Sequence, residues 1–278
     1  MFINSLSDSV TLSNGVKIPL FGLGTWDMQE GREVENAVRW ALEAGYRSID
    51  TAAYYANEVG VGNAVRSSGI QREDVFITTK VKNIDQGYHK TLAAMNISLG
   101  KLGMDYVDQY LVHWPIRDKY KDTWLAVEKI YKEGKARSIG VSNFTTHQLD
   151  DLMSAATIKP MANQVEFHPR LQQPDLQIFC QHHQIQYVAW SPIIRGHVFE
   201  IPELIEIGKK HHKNAVQITL RWMVQKDIVT IPKSSRKDRI VSNADILDFV
   251  LNEQEIEIIN GLDRQYRIGQ DPNGPANF

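Results

Sequence analysis

Apolar runs of strand length recur along the chain, each followed by a helix-length segment with its apolar residues on one stripe. The strand-like runs are Leu20–Gly24, Arg47–Asp50, Val75–Lys80, Tyr106–His113, Ala136–Ser142, Asn163–Glu166, Tyr187–Ser191 and Val229–Pro232. The amphipathic segments are Arg32–Ala44, Val59–Ser68, Tyr88–Leu102, Thr123–Glu133, Thr146–Ala156, Leu176–His183, Pro202–His212, Val216–Gln225 and Arg239–Ala244, with a late one at Asn252–Leu262. In Tyr88–Leu102 the stripe is Leu92, Met95, Leu99 and Leu102, the spacing of one helix face. The strands read as continuous apolar runs, as parallel strands do when helices cover them. Alternating β and α elements predict a parallel sheet. About eight such units predict closure into one (β/α)8 TIM barrel rather than an open sheet.

Ahead of the first unit, apolar residues alternate around Asn14-Gly15 within Val10–Ile18, a strong hairpin signal. This N-terminal β-hairpin is expected to plug one end of the barrel. No Pro/Gly/Ser-rich linker breaks the rhythm, so residues 1–278 are read as one domain.

Composition narrows the function classes. Hydrophobic residues make up 42% and charged residues 23%, enough for a large core and against wholesale disorder. The net charge of −2 offers no broad positive field to displace counterions, so no nucleic-acid partner is expected. A single cysteine, Cys180, excludes an internal disulfide and a Cys-rich zinc site. The first fifteen residues lack the apolar run of a signal peptide, and no stretch has the length and apolarity of a membrane span. The expectation is a cytoplasmic monomer with no membrane partner.

In barrels of this kind the active site lies at the C-terminal ends of the strands, so polar residues ending an apolar strand are the candidates. Asp50, Lys80 and His113 each end a run, and Tyr55 follows Asp50 closely. Taken singly, each has an ordinary explanation: a helix cap, a solvated cation, a hydrogen-bonded histidine, a packed ring. Together they pair opposite charges beside a phenol. An ammonium near a tyrosine favours the phenolate and lowers a pKa that is ordinarily about 10. Asp50 would hold Lys80, Tyr55 would serve as acid or base, and His113 would polarise a carbonyl oxygen. No metal-ligand cluster and no Ser or Cys nucleophile accompanies them. Protonating an oxyanion without a metal suits hydride delivery from a nicotinamide cofactor.

At these residues the chain resembles the aldo-keto reductase family, along essentially its whole length. Gly45-Tyr46-Arg47-Ser48-Ile49-Asp50-Thr51-Ala52 followed by Tyr55, Asn57 and Glu58 is similar to the family's first signature. Ile139–Phe144 and Ile231–Ser234 resemble the second and third, and Asn163–Pro169 and Ala189–Pro192 also fit. The nearest likeness is to short-tailed microbial members of the diketo-gluconate reductase and prostaglandin F synthase type. The resemblance implies NADPH-dependent reduction of aldehydes and ketones, with Asp50, Tyr55, Lys80 and His113 as a catalytic tetrad and Tyr55 donating the proton. Ser142, Asn143 and Gln164 would bind the nicotinamide carboxamide, and Trp190 would stack on its ring. Gly24, Thr25, Trp26, Asp50, Ser191, Ile193 and Arg195 would complete the cofactor wall. Lys233, Ser234, Ser235 and Arg239 would hold the adenosine 2′-phosphate, for which charge-assisted donors are the physical requirement. Asn243 would face the adenine. Trp26, Tyr54, Tyr55, His113 and Trp114 would surround the small-molecule carbonyl substrate.

Some positions depart from the family pattern. Lys82 stands where an aromatic residue often lines the substrate pocket, and so suggests either a polar pocket or an anionic substrate, or a lysine that simply points to water. Gln109 replaces an apolar residue, and Ile194 and Arg195 are unusual in their loop. The C-terminal stretch from Gln270 to Phe278 is short, which predicts an open pocket. Gly60-Val61-Gly62 lacks the third glycine of a dinucleotide loop and is read as a helix start. His182-His183 and His211-His212 are read as cations at helix ends. The alternative within the same fold is a binding or regulatory subunit with little turnover, which retention of all four rim residues opposes.

Overall fold

Gly15 turns the chain at φ 88°, a left-handed conformation open to glycine, and so pairs β1 (Ser9–Thr11) antiparallel with β2 (Lys17–Pro19). The computed structural model describes residues 3–274, and in it this hairpin is separate from the main sheet. Asn14 Nδ2 donates to the Arg137 carbonyl at 2.9 Å. That contact holds the hairpin at the N-terminal end of the barrel, away from the strand ends that carry the candidate chemistry.

All eight apolar runs become parallel strands: β3 (Leu23–Gly24), β4 (Ser48–Asp50), β5 (Phe76–Val81), β6 (Val107–Val112), β7 (Ala136–Ser142), β8 (Ala162–Glu166), β9 (Gln186–Trp190) and β10 (Val229–Thr230). Each pairs with the next in sequence order. The ring closes where the Gly22 amide donates to the Thr230 carbonyl at 3.0 Å, Thr230 to Leu20 at 2.9 Å and Gly24 to Pro232 at 3.1 Å. A Cβ at Gly24 would lie 2.9 Å from the Ile231 carbonyl, so this close seam requires glycine. β10 is shorter than its apolar run because Pro232 has no N–H with which to extend the ladder.

Ten α-helices surround the sheet among the described residues: α1 (Arg32–Glu43), α2 (Glu58–Ser67), α3 (Tyr88–Leu102), α4 (Tyr120–Lys132), α5 (Thr146–Met153), α6 (Pro174–His182), α7 (Pro202–His211), α8 (Ala215–Gln225), α9 (Lys237–Ala244) and α10 (Glu253–Asn260). In α1 the stripe Val34, Ala37, Val38, Ala41 and Leu42 is buried. Each such Val or Leu gains about 1.5–3 kcal/mol from leaving water. Asn214 caps α8 by accepting from the Gln217 amide while Gln217 returns the bond to the Asn214 amide. Gly60-Val61-Gly62 lies inside α2, where a Cβ on Gly62 would meet the Leu102 carbonyl. Helix packing therefore explains that glycine, with no phosphate needed. His182 and His211 end their helices, and no helix is long and apolar enough to cross a membrane among the described residues.

Candidate active site

The C-terminal strand ends open into a groove of about 1090 Å³. Asp50 is the last residue of β4, Lys80 lies near the end of β5, and His113 directly follows β6. Tyr55 ends a 3-10 turn, Ala53–Tyr55, that begins three residues beyond β4. The four side chains converge. Lys80 Nζ donates to Asp50 Oδ1 at 2.5 Å, to the Thr51 carbonyl at 3.0 Å and to Tyr55 Oη at 3.4 Å. The His113 ring stands edge-on to Tyr55, centroids 5.7 Å apart. Asn57, fully buried, braces the turn: its Nδ2 donates to the carbonyls of Thr25 and Met28, and its Oδ1 accepts from Thr51 Oγ1 at 2.8 Å.

The electrostatics reverse one expectation. Burial pushes the Tyr55 phenol above its ordinary range; Lys80 pulls it down, and Asp50 pushes it up again. The net direction is upward, against the lowering anticipated from Lys80 alone. Tyr55 is thus held as a neutral phenol, a donor rather than a phenolate. Burial pulls the Lys80 ammonium down, but Asp50 and Tyr55 outweigh it, so Lys80 stays charged. His113 is held well below 6.5, first by burial and then by the Lys80 charge, and its imidazole is neutral at pH 7.

The side chains expected around a nicotinamide also meet. Ser142 Oγ donates to the Gln164 carbonyl, and Asn143 Nδ2 donates to the His113 carbonyl. Trp190 Nε1 donates to Asn143 Oδ1 at 2.8 Å, so the Asn143 amide orients the indole. Beyond β9 the chain runs through left-handed residues Ser191, Ile194 and Arg195, with φ near 50°. The Arg195 guanidinium lies 5.2 Å over the Trp26 ring, across the groove, and Lys233 Nζ donates to the Asp27 carbonyl at 3.1 Å. Gly24, Ile193, Ser234, Ser235, Arg239 and Asn243 line the rest of the groove, and Tyr54 and Trp114 line its wall with Tyr55 and His113.

Two expected residues lie elsewhere. Thr25 is fully buried and is absent from the groove wall; its Oγ1 donates to the Asp50 carbonyl at 3.0 Å. Lys82 is also absent from the wall. Its ammonium lies 3.4 Å from Asp85, and Asn83 lines the groove instead. The short spacing to Asp85 was a readable signal for that local pair. Sequence reasoning missed Asn214 and Val216 at the α9 end of the groove, although the Asn214-x-x-Gln217 capping pattern was legible. It also missed Gly269 and Gln270, which bring the C-terminal segment into the groove wall. Residues 275–278 lie outside the described residues.

The family model for the aldo/keto reductase family matches residues 20–264. The glyoxal reductase of Bacillus subtilis (strain 168) is 52% identical over 269 residues, spanning 97% of this chain and 98% of that protein. The crystal structure of an aldo-keto reductase from a Medee basin deep-sea metagenome library superposes with a TM-score of 0.94 at 43% identity, covering 96% of this chain and 99% of that one. A Bombyx mori aldo-keto reductase in complex with NADP superposes with a TM-score of 0.89 at 36% identity, covering 95% of each chain. With the barrel, the strand-end tetrad and these likenesses together, the chain belongs to the aldo/keto reductase family of NADP(H)-dependent oxidoreductases.

Proposed function

We propose that the protein reduces small aldehydes and ketones to alcohols, with Tyr55 as the proton donor. The observation that carries this reading is the single ammonium, Lys80 Nζ, that bridges the Asp50 carboxylate and the Tyr55 hydroxyl. When bound, NADPH supplies a hydride to the carbonyl carbon. The Tyr55 O–H gives its proton to the carbonyl oxygen as that oxygen gains electron density. Lys80 then faces the phenolate left behind and stabilises it until solvent returns a proton. Neutral His113 donates a hydrogen bond to the same oxygen and orients the carbonyl over Tyr55.

The groove fits the cofactor. Its α9 end gathers Lys233, Ser234, Ser235 and Arg239, the donor set a phosphate monoester requires. Arg195 stands over the middle, and Ser142 and Gln164 present polar groups beside Trp190 for a carboxamide. Trp26, Tyr54 and Trp114 form an aromatic wall suited to a small carbonyl compound, and a glyoxal reductase among the relatives supports a short aldehyde as substrate. All of these side chains come from one chain, and we place the reaction in the cytoplasm on a monomer.

The test is loss of NADPH absorbance with a panel of small aldehydes, 2-oxoaldehydes and ketones, run beside NADH. Turnover that prefers NADPH supports the reading. Tight NADPH binding without turnover on any carbonyl would replace it with a regulatory role.

A further inference from the structure

Glu166 ends β8, two residues beyond Gln164, and is fully buried. A carboxylate taken out of water needs partners, and most of these come from the C-terminal segment. The Ile268 amide donates to Oε1 at 2.6 Å and the Gly269 amide to Oε2 at 3.0 Å. The Arg267 guanidinium donates to Oε2 at 3.4 Å, and His168 Nε2 lies 3.1 Å from Oε1. Consecutive amides with a guanidinium make a cradle for one anion. One side chain on a barrel strand thus moors the last part of the described chain.

The segment is moored against Trp190. A Cβ at Gly269 would run into the six-membered ring of Trp190 and would stand 2.9 Å from Glu166 Oε2. Only bare backbone fits between the carboxylate and the indole. The other end of that indole is fixed, since its N–H donates to Asn143 Oδ1. Trp190 is only half-buried and lines the groove, so these two contacts set its tilt.

We propose that Glu166 is a positioning residue that, through Gly269, fixes the Trp190 indole as a preformed seat for the nicotinamide. The proposal rests on the reading above that the nicotinamide stacks on Trp190. Without the mooring, the indole pivots about the Asn143 bond and the ring stack weakens, while the grip on the adenosine end is untouched.

The experiment titrates NADPH and 2′-phospho-ADP-ribose, which lacks only the nicotinamide, into wild-type protein, Glu166→Gln, Gly269→Ala and Trp190→Ala by calorimetry. Both Glu166→Gln and Gly269→Ala are expected to weaken NADPH about fivefold, the scale of a partly lost aromatic stack. Neither should change 2′-phospho-ADP-ribose. Equal loss with both ligands, as general loosening of the fold would give, overturns the proposal, and so does unchanged NADPH affinity. A loss in Gly269→Ala alone overturns the role of Glu166. If Glu166→Gln does not fold, Glu166→Asp takes its place with the same outcomes expected, because it keeps the buried charge but shortens its reach to the Ile268 and Gly269 amides. Trp190→Ala separates the premise from the proposal. If it leaves the preference for NADPH intact, the stacking reading fails. If it removes that preference while the other two variants keep it, only the positioning role fails.

Discussion

Gln164 and Asp50 meet across the barrel: Gln164 Nε2, on β8, donates to Asp50 Oδ2, on β4, at 2.7 Å. Asp50 therefore spends one oxygen on Lys80 and the other on Gln164. The carboxylate that holds the Lys80 ammonium is itself held from the opposite wall, where the nicotinamide carboxamide is expected to sit. The half of the site proposed to donate the proton and the half proposed to face the cofactor share one buried anion.

Buried ion pairs are weak contributors to stability while intact and costly when halved. Lys80→Met is expected to destabilise the fold by about 3–5 kcal/mol, because Asp50 is left charged with only Gln164 and no cation. Adding Asp50→Asn should restore most of that stability without restoring turnover. Urea unfolding of the single and double variants measures it. A double variant as unstable as Lys80→Met would show that the pair matters for packing rather than for charge.

Tyr55→Phe keeps the ring and removes the proton. Turnover is expected to fall by roughly 10²–10⁴-fold, the usual worth of a general acid. NADPH affinity should hold, since Lys80 and Asp50 still pair. Steady-state rates with a simple aldehyde, beside a cofactor titration, check both halves. Wild-type-like turnover would remove Tyr55 from the mechanism.

Arg239 is exposed on the first turn of α9, at the end of the groove that gathers Lys233 and Ser234. Arg239→Ala is expected to weaken NADPH by about 1.5–3 kcal/mol, the range for hydrogen bonds to a charged group, and to leave NADH nearly unchanged. Comparing Kd for the two cofactors tests this, and equal losses would make the residue structural.

His113 gives a pH signature. In the unfolded chain its imidazole takes up a proton near 6.5, but in the folded protein burial and Lys80 delay protonation to a lower pH. Between those two values the unfolded state binds more protons, so stability rises with pH through the window and is lost as pH falls below 6.5. The contribution is at most about 1.4 kcal/mol per pH unit. Tm measured from about pH 7.5 down to pH 5 should fall less steeply for His113→Asn than for wild type. Parallel curves would show that His113 does not carry the effect.

The alternation of continuous apolar runs with one-stripe amphipathic segments by itself determined the number of barrel strands and their order along the chain, because a strand covered by helices is apolar on both faces and each helix buries its single stripe. Strand-end position singled out Asp50, Lys80 and His113, because a parallel barrel carries its strand ends on one rim. Tertiary structure decided the rest. Tyr55 is raised rather than lowered because its burial, which packing across the closed barrel sets, outweighs the pull of Lys80. Thr25 turns inward because the Asp50 carbonyl accepts its hydroxyl across a sequence gap that no local pattern records. Lys82 lies off the groove wall beside Asp85, the exception here, since that local pair was readable from spacing. Glu166 looked like one polar residue in a family motif; its role depends on a backbone cradle formed by residues about a hundred positions later. Spacing in sequence reports which face a side chain occupies, but only the closed barrel reports which distant partner removes it from water.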